Sequence, residues 1–210
     1  MAHVSNHPLV RREITILRSS ETSSVAFRGA LRRVSQLLVY EASTDLQTEE
    51  RPVKTPLEST TGSVLARPVI LVPVLRAGLG MVEAFLDMFP EARVGHVGLY
   101  RDEETLEAVE YYGKYPASLE AAVVFLLDPM LATGGSAVTA LRMLRARGAK
   151  DIRLISLVSA PEGVRMLENS YPDVPVYTAA MDRGLNEKGY IVPGLGDAGD
   201  RIFGTGMEAR

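Results

Sequence analysis

The sequence has no cysteine, only three histidines, no long apolar run and no block of like charge. Without cysteine there is no disulfide, no thiolate nucleophile and no Cys-ligated zinc. That absence suits a reducing compartment such as the cytosol. The longest apolar stretches, residues 69–75 and 121–127, are strand-sized and far short of a membrane span. The first 18 residues mix His3, His7, Arg11, Arg12 and Glu13 with short apolar pairs and hold no signal-peptide core. A soluble, cytoplasmic protein with no membrane partner is expected. A net charge of −3 with mixed signs argues against a non-specific nucleic-acid binder, which needs a basic face to displace counterions.

What is present is length and pattern. A chain of 210 residues suffices for one large domain that buries most of the surface its unfolded form exposes. Residues 24–42 place Val25, Leu31, Val34, Leu38 and Ala42 at helical spacing, with Ser23 or Ser24 as a cap. Residues 44–68 contain Pro52, Pro56, Gly62 and Pro68 and read as a turn-rich excursion, here taken as a hairpin arm. Strands are expected at residues 69–74, 94–100, 121–127, 152–158 and 174–180. Helices are expected at 81–88, 161–170 and 137–147, the last with Val138, Leu141 and Leu144 as its buried stripe and Gly148 as its C-terminal cap.

Continuous apolar strands alternating with helices mean an α/β fold, its mainly parallel, twisted sheet flanked by helices on both faces. Within a single domain the core spans about residues 69–180, preceded by the helix and arm and followed by a tail at 181–205. Ligands of such sheets bind beyond the carboxyl ends of the strands, which singles out the loops after Val74, Tyr100 and Leu127. The glycine-rich stretch 182–205 fits neither template. It is either a mobile end or a loop wrapped over a site.

The loop after Leu127 carries the most chemistry. It reads Asp128-Pro129-Met130-Leu131-Ala132-Thr133-Gly134-Gly135-Ser136 and runs directly into a helix. Consecutive glycines let backbone N–H groups converge on an anion, and the helix N-terminus adds partial positive charge. The Thr133 and Ser136 hydroxyls can donate as well, and Asp128 can accept from vicinal ribose hydroxyls. A phosphomonoester is the natural guest. Taken alone, the glycine pair equally suits a tight turn with Thr133 or Ser136 as N-cap. It matches neither the Walker loop nor the dinucleotide fingerprint. At another strand end, Arg76-Ala77-Gly78-Leu79-Gly80 pairs a delocalised cation with glycines, as an anion loop or as a packing turn. Arg101 follows a further strand in a charged segment that on its own reads as a surface turn.

The string at 128–136 resembles the loop of type I phosphoribosyltransferases that binds phosphoribosyl pyrophosphate (PRPP). Pro129, where many relatives have a second acidic residue, resembles the uracil phosphoribosyltransferase family in particular. The resemblance runs from His7-Pro8-Leu9-Val10 to Ile202-Phe203-Gly204-Thr205. It implies transfer of the phosphoribosyl group from PRPP to N1 of uracil, giving UMP and pyrophosphate. It further implies that the whole of residues 128–136, with Arg76, Arg101 and Asp197, binds PRPP. By the same resemblance Ile191, Gly196, Asp197 and Ala198 contact uracil in a C-terminal hood over the base site.

Arg76, Arg101, Asp128 and Asp197 then carry catalysis by positioning and charge stabilisation. No general base stands out; Asp197 acting through water is the best candidate. No metal is expected to be held directly, Mg²⁺ arriving with PRPP. The resemblance extends to GTP as an allosteric activator in some members, to homo-oligomers of two or more chains, and to a non-proline cis peptide beside Arg76. Two alternatives stand beside it: a pyrimidine-responsive RNA-binding regulator on the same fold, and a phosphoribosyltransferase for another nucleobase.

Overall fold

The computed structural model describes residues 2–101 and 108–205, the side chains of Arg101 and Ala108 excepted. In chain order come β1 (Ala2–Val4), α1 (Pro8–Arg18), α2 (Ser24–Ala42), β2 (Thr48–Lys54), β3 (Ser59–Leu65), β4 (Val69–Leu75) and α3 (Leu79–Met88). Next are β5 (Arg93–Val94), β6 (His96–Arg101), β7 (Ala108–Lys114), β8 (Val123–Leu127), β9 (Met130–Leu131) and α4 (Gly135–Ala146). The remainder holds β10 (Asp151–Ser159), α5 (Pro161–Ser170), β11 (Val176–Met181), β12 (Gly184–Leu185), β13 (Ile191–Val192) and α6 (Ala198–Phe203).

The main sheet runs β1-β11-β10-β8-β4-β6-β7, with β5 on β4 and β9 on β10. Each of its pairings is parallel except β6 with β7. Period-two alternation divides the buried strands between two cores. Val69, Leu71, Val123, Phe125 and Leu127 face α1, α2 and α3, whereas Ile70, Val72, Val124 and Leu126 face α4 and α5. Phe125 lies between Phe85 and Phe89, at ring separations of 5.5 and 5.6 Å. The expected arm is the antiparallel hairpin β2–β3, whose residues are almost all exposed.

Three differences from the expected elements have local causes. Helix α4 starts two residues before its apolar stripe, because Gly134 at φ 88° turns the chain into it; no side chain caps this end. Val138 is only partly buried there, and Ala137, Ala140, Leu141 and Leu144 form the stripe instead. Helix α1, for which no bounds are expected above, keeps Val10, Ile14 and Leu17 at helical spacing and seats a buried glutamate, Glu13, among them. Arg12 and Arg33 pair with that carboxylate and hold it below the usual range against the opposing effect of burial. Its partner Arg33 comes from α2, so the ion pair also joins the first two helices.

The chain leaves β4 towards β6 on one side and later returns to β8 on the other. Strands β4 and β8 are therefore adjacent at a topological switch, with loops diverging from their carboxyl ends. That is where the cavity lies.

Candidate functional site

Two contiguous cavities, of about 340 and 250 Å³, open at the ends of β4 and β8. Their common wall includes Ala77, Asp128, Met130, Ser136, Asp197 and Gly199. Arg76 lines the smaller one; Leu131, Ala132, Thr133, Gly134, Ile191, Gly196 and Ala198 line the larger. Residues from the loop after β8 and from the C-terminal hood, some sixty positions apart in sequence, thus face one space.

The first half of the loop after β8 is tied into the sheet. Asp128 N–H donates to the Ile155 carbonyl at 3.1 Å, and the Pro129 carbonyl accepts from Leu157 and Val158 at 3.0 and 3.1 Å. Pro129 is buried and supports the loop from behind, outside the cavity lining. The Ser156 hydroxyl accepts the Leu131 N–H at 3.2 Å. Beyond it, Gly134 and Gly135 open α4, whose first-turn N–H groups have no carbonyl within the helix to bond. A Cβ on Gly134 would come within 3.0 Å of the Gly163 carbonyl, and its φ favours glycine in any case. Gly135 differs: a Cβ there meets nothing nearer than 3.8 Å. Packing does not require a glycine at 135.

Asp128 stands at the mouth of this loop with one hydrogen bond from within it, the Met130 N–H at 3.4 Å. Burial pushes its carboxyl up to about 6, and that single donor offsets only part of the effect. An acid poised this close to neutrality suits a site where ligand groups complete its hydrogen bonding.

Arg76 follows β4 across a cis peptide with Leu75. Among the described residues its guanidinium makes only long contacts, 3.4 Å to Asp200 and 3.4 Å to the Thr205 hydroxyl, and is more than half exposed. It is available to an anion. The neighbouring glycines serve packing. A Cβ on Gly78 would meet the Leu127 carbonyl at 2.4 Å, and one on Gly80 would meet Ile202 and Leu31 at 3.0 and 3.3 Å. Arg101 ends β6; its side chain, with residues 102–107, lies outside the described residues.

The tail is an ordered cover. Asn186 builds an Asx turn in which its side-chain oxygen accepts from Lys188 and Tyr190 at 3.0 and 2.9 Å. That turn puts Lys188, Gly189 and Tyr190 on the cavity wall, three positions adjoining the hood to which the resemblance assigns no contact. Asp197 caps α6 by accepting the Asp200 N–H at 2.9 Å, so this exposed carboxylate has a structural duty besides lining both cavities. The histidines lie elsewhere: His7 caps α1, and His3 stacks on Tyr177 at 4.8 Å.

Residues 4–205 match the family model described as uracil phosphoribosyltransferase. A curated protein of that name from Agrobacterium fabrum is 54% identical over 203 residues, covering 96% of this chain and 97% of its own length. Among solved structures, the AQ2163 protein from Aquifex aeolicus superposes with a TM-score of 0.94 at 38% identity, covering 99% of this chain and all of that one. A hypoxanthine-guanine phosphoribosyltransferase from Bacillus anthracis, 9% identical, shares the fold with a TM-score of 0.51, covering 76% of this chain and 80% of its own.

Proposed function

This chain belongs to the uracil phosphoribosyltransferase family, with the type I phosphoribosyltransferase fold, and from that premise we propose how its own residues divide the work. The protein is an enzyme that transfers the 5-phosphoribosyl group of PRPP to N1 of uracil, forming UMP and pyrophosphate.

The observation that carries the assignment of roles is the shared wall of the two cavities, where Asp128, Ser136 and Asp197 stand between Arg76 and the hood. The 5-phosphate sits on the first turn of α4, with Thr133 to Ser136 around it. Asp128 accepts from the ribose hydroxyls. Arg76, joined by Arg101, stabilises the charge that gathers on pyrophosphate as its bond to C1 breaks and the N1–C1 bond forms. Uracil lies under the hood beside Ile191, Gly196 and Ala198, read by backbone groups. Such a pocket rejects cytosine strongly, because its amine would face a donor and leave buried polar groups unpaired. The N1 proton leaves through water, with Asp197 as the carboxylate on that side.

Among the described residues no three His, Cys, Asp or Glu side chains gather as a metal site. The cavity presents two carboxylates, Asp128 and Asp197, a donor set that fits an ion held mainly by substrate oxygens and water. Mg²⁺ carried by PRPP would supply charge neutralisation on the pyrophosphate. Among the described residues no helix is long and apolar enough to cross a membrane. A cytoplasmic location, a homo-oligomer, activation by GTP and no nucleic-acid partner complete the proposal. Sedimentation, assays with added GTP and an RNA filter-binding measurement check the last three.

The substrate reading is tested by mixing the enzyme, PRPP and Mg²⁺ with uracil, cytosine, hypoxanthine or orotate. Pyrophosphate should appear with uracil alone; release with hypoxanthine and not uracil would sink it. The phosphate assignment has its own check in Gly135→Ala. Because a Cβ has room in the free protein, the melting temperature should shift by no more than about 2 °C. The methyl would crowd a phosphate on the helix end, so KM for PRPP should rise about tenfold or more. An unchanged KM would move the phosphate elsewhere.

A further inference from the structure

The stretch from Pro193 to Asp197 is fastened from behind, by side chains that line neither cavity. Asp182, whose side chain is 4% exposed, accepts the Gly194 N–H at 2.8 Å and a guanidinium N–H of Arg18 at 2.9 Å. The same Arg18 nitrogen donates to the Gly194 carbonyl at 2.7 Å. Three hydrogen bonds thus close a ring around one glycine. On the other side, Arg201 donates to the Leu195 carbonyl at 2.9 Å and to the carbonyls of Leu17 and Ser19. Its guanidinium lies 4.5 Å from the centre of the Phe27 ring. Leu17 and Ser19 belong to the C-terminal end of α1, where carbonyls have no partner within the helix.

We infer that Arg18, Asp182 and Arg201 are positioning residues for base recognition, clamping the hood backbone between Ile191 and Gly196 to the end of α1. The inference rests on the reading of the hood as the base site. Gly194 and Gly196 sit at φ 63° and 77°, conformations open to glycine among many others. Left to itself such a segment is a floppy ligand. Recognition through backbone donors and acceptors needs their positions held to within about 0.5 Å. Pro193 and the Asp197 cap restrain the segment locally, and the buried Asp182 ring and the Arg201 bridge hold the glycines between them from each side. Buried, mutually satisfied networks of this kind fix one geometry because a half-satisfied one is costly.

The test is a steady-state comparison of Asp182→Ala, Asp182→Asn and Arg201→Lys, with Ala198→Val as a direct perturbation of the cavity wall. The clamp predicts that KM for uracil rises about 10- to 100-fold while KM for PRPP moves less than about threefold. Discrimination against cytosine should fall in parallel. Asp182→Asn, which keeps an oxygen for the Gly194 N–H, should be milder than Asp182→Ala. If Asp182→Ala does not fold, Arg201→Lys carries the same expectation, since a lysine's single nitrogen replaces two separate guanidinium nitrogens, one on Leu17 and Leu195 and the other on Ser19. Equal rises in both KM values would mean general loosening and overturn the inference. So would unchanged uracil kinetics in the clamp variants when Ala198→Val raises KM for uracil. If Ala198→Val is silent too, the base-site reading falls with it.

Discussion

Asp128→Asn should cut kcat/KM for PRPP by about 100- to 1,000-fold while making the free protein harder to unfold. The activity loss follows from replacing an ionised acceptor of two ribose hydroxyls, where each charge-assisted hydrogen bond contributes about 1.5–3 kcal/mol. The stability gain follows from the sign of the pKa shift. In the native protein the carboxyl sits at about 6, above its value in the unfolded chain. Between roughly pH 4 and 6 the native state therefore binds more protons than the unfolded state, and stability falls as pH rises through that window. Above it the charged group costs up to about 3 kcal/mol, which an uncharged amide of the same shape escapes. The wild-type kcat/KM for PRPP should decline below about pH 6 as the acceptor is protonated, and the variant should lose that inflection. Thermal unfolding across pH 4–8 beside a pH–rate profile checks both halves. A variant less stable than wild type at pH 7, or an unaltered profile, would remove Asp128 from its assigned place.

Arg76→Ala should lower kcat by about 100- to 1,000-fold, the usual cost of removing one preorganised donor from a developing charge. Little stability should go with it. The guanidinium is 57% exposed, and its contacts to Asp200 and Thr205 are long, the kind of surface pair that contributes under about 1 kcal/mol. Arg76→Lys should recover only part of the rate, because an ammonium keeps the charge but not the planar fork that matches pyrophosphate. Single-turnover rates with melting temperatures measure the two effects separately. A large drop in melting temperature with modest loss of rate would make Arg76 a packing residue.

The central sheet was legible because β4 and β8 are buried on both faces and read as apolar runs, and β10 does so but for Arg153 and Ser156. The anion loop was legible because Thr133 to Ser136 sit where a strand gives way to a helix. What could not be read locally depends on partners far away in the chain. Helix α1 spaces Val10, Ile14 and Leu17 as a helix should, but the glutamate buried among them, Glu13, is explained only by Arg33 twenty residues on. Strand β7, with Glu110, Tyr111 and Tyr112 partly exposed, has the pattern of an edge, and only its pairing with β6 makes it a strand. The hood is the clearest instance. Four glycines between 189 and 199 look like a mobile end, yet Arg18 reaches Gly194 across 176 positions, and Arg201 reaches Leu17 across 184. Beyond the local Asn186 turn and Asp197 cap, order there comes from tertiary hydrogen bonds that no window of sequence contains. At Gly78 and Gly80, too, the reason for a glycine is distant in the chain: the Leu127 carbonyl and the Ile202 side chain lie where a Cβ would be.

A crystal structure of the enzyme with UMP tests the account most directly. The phosphate should rest on the first turn of α4, among Thr133, Gly135 and Ser136. The ribose hydroxyls should meet Asp128, and the uracil edge should meet backbone groups between Ile191 and Ala198. A base turned away from the hood, or a phosphate bound at Arg76 with α4 left bare, would contradict it.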